Sequence, residues 1–590
     1  MSARDERTPL TSRTSPAQPS SLHDYALFRR GIEPDGRFPR RGYPLPDGPP
    51  EPSRAGLTWT RARDEVTAAL APLLADPDPV RAAAAVHLRA DALAMPYRTM
   101  RAAAAKLPLT DEAAARRTAR QLARTGTTPA AVSVGLALLT RLGEPEDVPC
   151  LKVLGLLRGF GPAAADALDP LDRQAAALLM LAHRSRAAEL TPLIDAVAAG
   201  GDREAVRTAL VGLSQKDAMW MGRRVAEAAD LEGLLRAHPD DGALLAQAAR
   251  LLHTMARQRG RRVEILNYEP AMKVYKALAA RGDLLPPTLE HHALLLSLSL
   301  DLHSGPGALL DWPPGEADAV LELLERRLPS AAAADGEGDR HRTPEWIRRT
   351  GRQPFVRVPA GKRLHIEVVA DDPADAPAVE TRILVDGRPL VTALFGSGTA
   401  HAPEYLLDAG RLRAAAEPRE VQLAEADCTE GCCGALYVTV RRDGDEVVWG
   451  EWRGAAGPTA PELRFEAAAY DAEVARAEQD HSWCWPARNT ARLITAGLRE
   501  RPELTARWDV EPGRAGTAWS EPDTVEVWFT ARVEPDPDPN QGSDPDEDPG
   551  ASRRYLRWFL PDDGRPPAVQ AAAALERLST TDPRTLEGGG

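Results

Sequence analysis

The apolar residues of this chain change period partway along, and that change constrains the fold more than any other feature. From residue 57 to about residue 328 they recur at helical spacing. In ELTPLIDAVAAG, Leu190, Leu193, Ile194 and Val197 fall at i, i+3, i+4 and i+7 and share one face. Gly200-Gly201 ends that helix, and Asp202 is placed to cap the next. In DREAVRTALVGL, Val206, Ala209, Leu210 and Leu213 repeat the spacing. Thr110-Asp111-Glu112 opens another helix with an N-cap and acids in the first turn, where the helix dipole favours them. Helices of roughly 12–16 residues joined by short turns cannot bury their stripes alone, so neighbours must stack.

The polar stretch GEGDRHRTPEW (336–346) reads as a boundary. Beyond it the period becomes two. RLHIEVVA, TRILVDGRPLV, REVQL, ALYVTVRRDGDEVVWGEW, DTVEVWFTARV and RRYLRWFL read as strands. The dipeptides Asp386-Gly387 and Asp443-Gly444 predict two tight hairpins. YDAEVARAEQD, PARNTARLITAGLRE and PAVQAAAALERL are helical in pattern. Strands and helices segregated in this way predict an α+β domain. The expected organisation is a Pro/Arg-rich disordered arm over 1–56, a helical-repeat domain over 57–335 and an acidic α+β domain over 351–590. An acidic, Pro-rich loop over 534–550 interrupts the last. LHDYALFRRGI, inside the arm, is the exception and predicts one short docking helix.

Two resemblances follow. Asp78-Pro79-Val80-Arg81, followed by AAAAV, resembles the second helix of a HEAT-type repeat, as does Asp202 with Val206, Arg207, Ala209, Leu210 and Leu213. The resemblance implies that the Asp caps its helix, the Val and small residues pack inward and the Arg braces adjacent repeats. It implies an α-solenoid with a concave face. Residues 380–585 resemble a domain of uncharacterised bacterial proteins through Cys428 to Gly434, Val447 to Trp449, Phe465 to Tyr470, Phe559 to Pro561 and Asp582 to Arg584. That resemblance implies homology and no activity.

Charge is unevenly placed. Of the total of −13, residues 1–56 carry +2, residues 57–350 are neutral and residues 351–590 carry −15. An acidic half repels phosphate backbones and argues against nucleic acid as the partner. A HEAT-like nucleic-acid solenoid would need Arg116, Arg117, Arg120 and Arg124, or Arg223 and Arg224, on one concave face. Five cysteines in 590 residues do not make a disulfide scaffold. The N-terminal residues have no apolar core of signal-peptide type, and Arg29-Arg30 is followed by Pro34, Asp35 and Arg37. The longest apolar run, near 293–300, is too short to span a bilayer. A cytoplasmic protein with reduced thiols and no membrane partner is expected.

Cys428, Cys432 and Cys433 sit in a Gly-containing turn before a strand, and His481 and Cys484 lie about fifty residues on. Three readings stand. Small thiols pack a hairpin, the five residues contribute a structural zinc site, or the thiols serve redox or nucleophilic chemistry. The spacing C-x₃-C-C departs from the usual zinc patterns. DPDPNQGSDPDE (536–547) imitates a calcium loop, but its glycine is one place late and strands flank it. Trp449, Trp452, Trp483, Trp485 and Trp528 read as the core of a mixed domain or, second, as a sugar or peptide platform. FGSGT (395–399) lacks the Lys and the helix of a phosphate cradle. His291, His292 and His303 flank an apolar helix and read as core or rim residues. No paired carboxylates, nucleophile elbow or kinase motif appears in the sequence.

The reading is a non-catalytic protein-binding scaffold or adaptor that uses a helical-repeat surface. No cofactor is expected, with structural zinc as the alternative. A zinc- or thiol-dependent enzyme centred on the Cys-rich turn, or a HEAT-like nucleic-acid-binding protein, are the competing classes.

Overall fold

The computed structural model describes residues 20–33, 38–46, 58–184, 188–200, 202–214, 221–257, 263–328, 346, 362–372, 378–396, 398–426, 434–455, 460–518, 521–533 and 552–586. The molecule is a helix-rich region followed by a C-terminal region of antiparallel sheets. It divides into two compact units. One holds Met1–Met255 and Asn267–Leu285, the other Ala256–Leu266 and Pro286–Gly590.

The first unit carries α1 (Leu22–Gly31), α2 (Trp59–Leu70), α3 (Pro79–Ala92), α4 (Tyr97–Ala104), α5 (Glu112–Thr125), α6 (Pro129–Leu142), α7 (Val148–Leu154), α8 (Gly161–Leu168) and α9 (Arg173–Arg184). It continues with α10 (Thr191–Ala198), α11 (Arg203–Val211), α12 (Gly222–Ala228), α13 (Leu231–Ala237), α14 (Gly242–Arg257), whose last two residues belong to the second unit, and α15 (Ala271–Arg281). Caps set the starts. Thr58, Asp78, Asp111, Thr128 and Asp202 each accept a backbone N–H of the following first turn. Each helix from α2 to α6 packs on the next but one, α2 on α4, α3 on α5, α4 on α6 and α6 on α8. The central α6 is apolar all round and buries Leu136, Leu138 and Leu139 fully, each worth about 1.5–3 kcal/mol. Gly135 allows α5 this close, since a Cβ there would lie 3.0 Å from the Ala119 carbonyl.

The helix expected at LHDYALFRRGI is α1. It buries Leu22 and Ala26 and is anchored by Leu22 N–H to the Gly126 carbonyl at 2.9 Å. Residues 38–46 are also built into this unit. Tyr43 N–H donates to Leu156 O and Arg158 N–H to Tyr43 O, both at 2.7 Å.

The second unit begins its regular structure with α16 (Leu289–Ser304) and α17 (Glu316–Arg327). One sheet has the order β1 (Leu364–Ala370), β2 (Val379–Val385), β3 (Arg388–Pro389). Two short helices follow, α18 (Leu390–Leu394) and α19 (Pro403–Leu406). A four-stranded meander holds β4 (Arg419–Glu425), β5 (Ala435–Asp443), β6 (Glu446–Arg453) and β7 (Leu463–Glu466). Helices α20 (Ala467–Gln479), α21 (Pro486–Glu500) and α22 (Glu503–Ala506) precede the third sheet. That sheet is ordered β10 (Ser552–Pro561), β9 (Thr524–Val533), β8 (Val510–Thr517), and α23 (Pro567–Thr580) follows it. Asp386-Gly387 forms the first hairpin turn with φ of 51° and 76°. The second hairpin turns on Gly444-Asp445, one residue later than the dipeptide predicts, because Asp443 pairs with Glu446.

Two strands escape sequence patterning. β8 contains Pro512 and Gly513, which read as a turn but form a bulge opposite Trp528 on an edge strand. β7 is only four residues long. The meander core holds Trp449 against Phe465 and Tyr470 in edge-to-face contacts at 5.9 and 6.3 Å. On α16, Ala293, Leu296 and Leu300 pack with Trp346, Val369, Val379 and Trp483 of the same unit. No helix among the described residues is long and apolar enough to cross a membrane.

Candidate functional site

Helix α20 explains how the most organised polar site of the second unit arises. Its buried stripe is Tyr470, Glu473, Val474 and Ala477, the i, i+3, i+4, i+7 pattern with a carboxylate at one of the apolar places. Glu473 is 2% exposed, so it must be satisfied where it lies. It accepts the Ile366 N–H at 2.7 Å, Arg476 through Nη2 at 2.8 Å and Nε at 2.9 Å, and the Lys362 ammonium. His365 Nδ1 lies 2.8 Å from its Oε1. Burial alone would raise the Glu473 pKa. The His365, Arg476, Lys362 and Ile366 contacts outweigh it and hold the carboxyl well below its ordinary range.

In front of this carboxylate lies an open cleft of about 610 Å³. The two residues before edge strand β1, Lys362 and Arg363, line it with Arg464 and Phe465 of edge strand β7, and α20 brings Tyr470 and Arg476. Arg363 donates to the Arg464 carbonyl at 2.6 Å and its guanidinium lies 5.7 Å from the centre of the Phe465 ring. Arg464 pairs with Glu446 and Glu462, each at 2.8 Å. Four cationic side chains therefore line one opening, two fixed on Glu473 and two held by exposed contacts.

A second buried network adjoins β1. His303 of α16 lies 3.8 Å from Glu367. Arg382 donates to the Leu300 carbonyl at 2.7 Å and the Ser304 hydroxyl at 3.1 Å, and pairs with Glu380. Burial lowers the His303 pKa to about 4 and raises that of Glu367. His303 is thus a neutral interior histidine. His292 is buried as well, while His291 bonds its own N-cap Thr288 at 2.7 Å.

Cys428, Cys432 and Cys433 lie outside the described residues, as does the 536–547 loop. His481 and Cys484 are described, and Arg492 reaches both. Its Nη2 is 3.1 Å from His481 Nδ1, and its charge favours the Cys484 thiolate against the stronger effect of burial. Arg492 is itself fixed on Asp408 by two bonds, at 2.8 and 2.6 Å. Burial pushes the Cys484 thiol up to about 11 and Cys150 up to about 12, which favours the protonated form of each. Among the described residues, no group of three or more His, Cys, Asp and Glu is arranged to hold a metal ion.

The tryptophans divide. Trp449 and Trp483 are core. Trp483 and Trp485 flank Arg488, which grips Glu404 at 2.7 and 2.9 Å. Trp528 faces Arg514 and Arg557. Trp452 donates its indole N–H to Pro461 O at 2.9 Å. In FGSGT, Phe395 is buried and Gly398 lies so close to the Glu425 carbonyl that a Cβ would overlap it.

Four of the six arginines singled out in the helical unit are paired. Arg116 binds Leu142 O at 2.8 Å and Glu144 at 2.5 Å, and Arg120 binds Glu144, Glu146 and Asp147. Arg223 and Arg224 both reach Asp169, at 2.7 and 2.5 Å. Arg124 lies near Cys150, and Arg117 is exposed.

Sequence reasoning missed the cleft. The available signal was Glu473 on an apolar stripe and His365 and Glu367 on a strand otherwise apolar. Comparison with protein-family models, curated proteins and solved structures finds no match to this chain.

Proposed function

We propose that this protein is a non-catalytic, protein-binding scaffold, and that the cleft over Glu473 is one of its contact sites. The observation that carries the reading is the open cleft with four cationic side chains above a carboxylate already saturated by donors. A carboxylate held ionised by four partners keeps its neighbours in place and is a poor proton acceptor. The exposed pairs of Arg464 leave a side chain that an incoming acid can engage.

The helical unit supplies a second surface in this reading, as a HEAT-like α-solenoid. Three features support it. Asp78 and Asp202 cap their helices, Val206 and Leu210 pack inward, and Arg207 braces Asp241 beyond the next helices. Next-but-one packing from α2 to α8 is the local arrangement of stacked helix pairs. Leu27, Phe28 and Ile32 on and just after α1 are exposed apolar side chains suited to a protein contact. The resemblance of residues 380–585 to an uncharacterised bacterial domain stands as a proposal of homology alone. A cytoplasmic setting agrees with two cysteines, Cys150 and Cys484, left as thiols.

Affinity capture of the full chain, followed by cross-linking and mass spectrometry, tests the reading. A stable protein partner cross-linked to either unit supports it. Turnover of a small molecule by the purified chain, with no partner captured, overturns it.

A further inference from the structure

We infer that the chain pairs with a second copy of itself through β10, the two β10 strands running antiparallel across a twofold axis and joining their sheets into one. The inference does not depend on the binding reading above.

The open side of β10 follows from its register. The strand pairs with β9 along its whole length, without a bulge. Just past its end, Asp562 N–H donates to Asp523 O at 2.8 Å. Hydrogen-bonded pairs alternate along an antiparallel ladder. Leu556, Trp558 and Leu560 therefore bond β9, and Tyr555, Arg557 and Phe559 turn their N–H and C=O groups away from it. β10 stands at the end of its sheet, so among the described residues no strand receives those groups.

Other edges are blunted. β8 carries Pro512 and a bulge. On β1, Glu473 and Arg476 take the N–H and C=O of Ile366, and Trp346 Nε1 donates to Ala370 O at 2.9 Å. On β4, Leu423 O accepts the His401 N–H at 2.8 Å. β3 and β7 are two and four residues long. β10 has ten residues and a proline only at its last position. It also carries Tyr555, 65% exposed, on the face away from buried Leu556 and Trp558. A long, unbroken edge with an exposed aromatic is a template for another strand.

The sequence of β10 selects its own copy as that strand. Its outward groups lie at odd positions, so self-pairing sets odd opposite odd. Arg557 opposite Arg557 brings like charges together. Tyr555 opposite Tyr555 sets Arg557 against position 553, another arginine. Arg557 opposite Phe559 sets Tyr555 against Pro561, which has no N–H to give. One centred register is left, in which Tyr555 of each copy opposes Arg557 of the other. In RRYLRWF that register also sets Arg554 opposite Trp558, position 553 opposite Phe559, and Leu556 opposite Leu556 at the axis. Every arginine of the strand then faces an aromatic residue, a favourable cross-strand pair. Arg557 already stacks on Trp528 at 4.7 Å and is held by Glu526 through Nε at 2.6 Å. It thus brings its own counter-charge to the seam.

The test is sedimentation velocity of the full chain from about 1 to 100 µM. The parent chain is expected to shift from monomer to dimer across that range. Hydrogen exchange of the β10 amides is expected to slow as the dimer fills. Tyr555→Pro removes an outward N–H and no bond to β9, so it is expected to fold and to stay monomeric. Tyr555→Lys keeps every backbone group and sets a cation opposite Arg557. It is expected to weaken the dimer at least about tenfold. Thermal melting checks the fold of both, and Tyr555→Lys decides if the proline variant does not fold. A parent chain monomeric throughout, or a dimer of unchanged affinity in Tyr555→Lys, overturns the inference. A monomeric chain that still captures a protein partner leaves the scaffold reading standing without it.

Discussion

The Glu473 carboxylate accepts the backbone N–H of Ile366 at 2.7 Å, a bond that ties α20 to a strand 107 residues earlier. One residue thus aligns the two elements that form the back of the cleft. It also provides the counter-charge for Lys362 and Arg476, which are part-exposed.

Replacing Glu473 is therefore expected to destabilise the second unit. Glu473→Ala removes the counter-charge of Lys362, leaves Arg476 on Asp480 and the Ile366 carbonyl, and strands the buried Ile366 N–H, at a cost of about 1–3 kcal/mol. Glu473→Gln still accepts from Ile366 but loses the charge, and the expected cost is smaller. Urea denaturation at pH 7 measures both. The pH dependence has a definite sign. The folded pKa lies below the ordinary Glu value of 4.5, so the stabilisation is complete above about 4.5 and is lost as pH falls below it. Glu473→Gln removes that acid limb.

His303 supplies a separate window. Its folded pKa is lowered to about 4 from 6.5 by burial, with Arg382 and His365 adding to the effect. Between those values the unfolded chain binds the proton and the folded chain does not. Stability therefore falls as pH drops from 6.5 to about 4, by up to roughly 3 kcal/mol. His303→Gln is expected to flatten this limb, read by denaturant titrations at several pH values. An unchanged slope would show that His303 is accessible to protons in the folded state.

The first unit contains the opposite case. Burial raises the Glu227 pKa to about 7, against the pull of Arg223 and Arg224. The folded state holds that proton more tightly than the unfolded one, so stability is lost as pH rises from 4.5 through about 7. Glu227→Gln mimics the protonated acid. It is expected to flatten this alkaline limb, measured by denaturation at several pH values against the parent protein.

Cys484 and Cys150 are expected to resist alkylation in the folded chain. With thiols pushed up to about 11 and 12, their thiolate fractions at pH 8 fall about a hundredfold or more below that of a free cysteine. Timed iodoacetamide labelling with peptide mass spectrometry reads each site.

The architecture was legible where one local rule suffices. The switch from helical to alternating period separated helices from strands, and caps such as Asp78 and Asp202 marked real helix starts. β8 was hidden because Pro512 and Gly513 suit a bulge and a turn equally well, and only pairing with β9 decides between them. The cleft was hidden for a different reason. Lys362, Arg464 and Arg476 come from three stretches of the chain, and nothing in local spacing brings them together. Glu473 alone left a trace, as a charge at an apolar position. The guanidinium 3.1 Å from His481 Nδ1 comes from position 492 on the following helix, which no spacing around His481 and Cys484 marks.

The most direct test of the account places a photo-crosslinking amino acid at Ala469, which lines the cleft, and maps what it captures in the native cell extract. The account predicts cross-links to a protein partner, weakened by Arg464→Glu in the same chain. Cross-links confined to nucleic acid, or protein capture indifferent to Arg464→Glu, would contradict it.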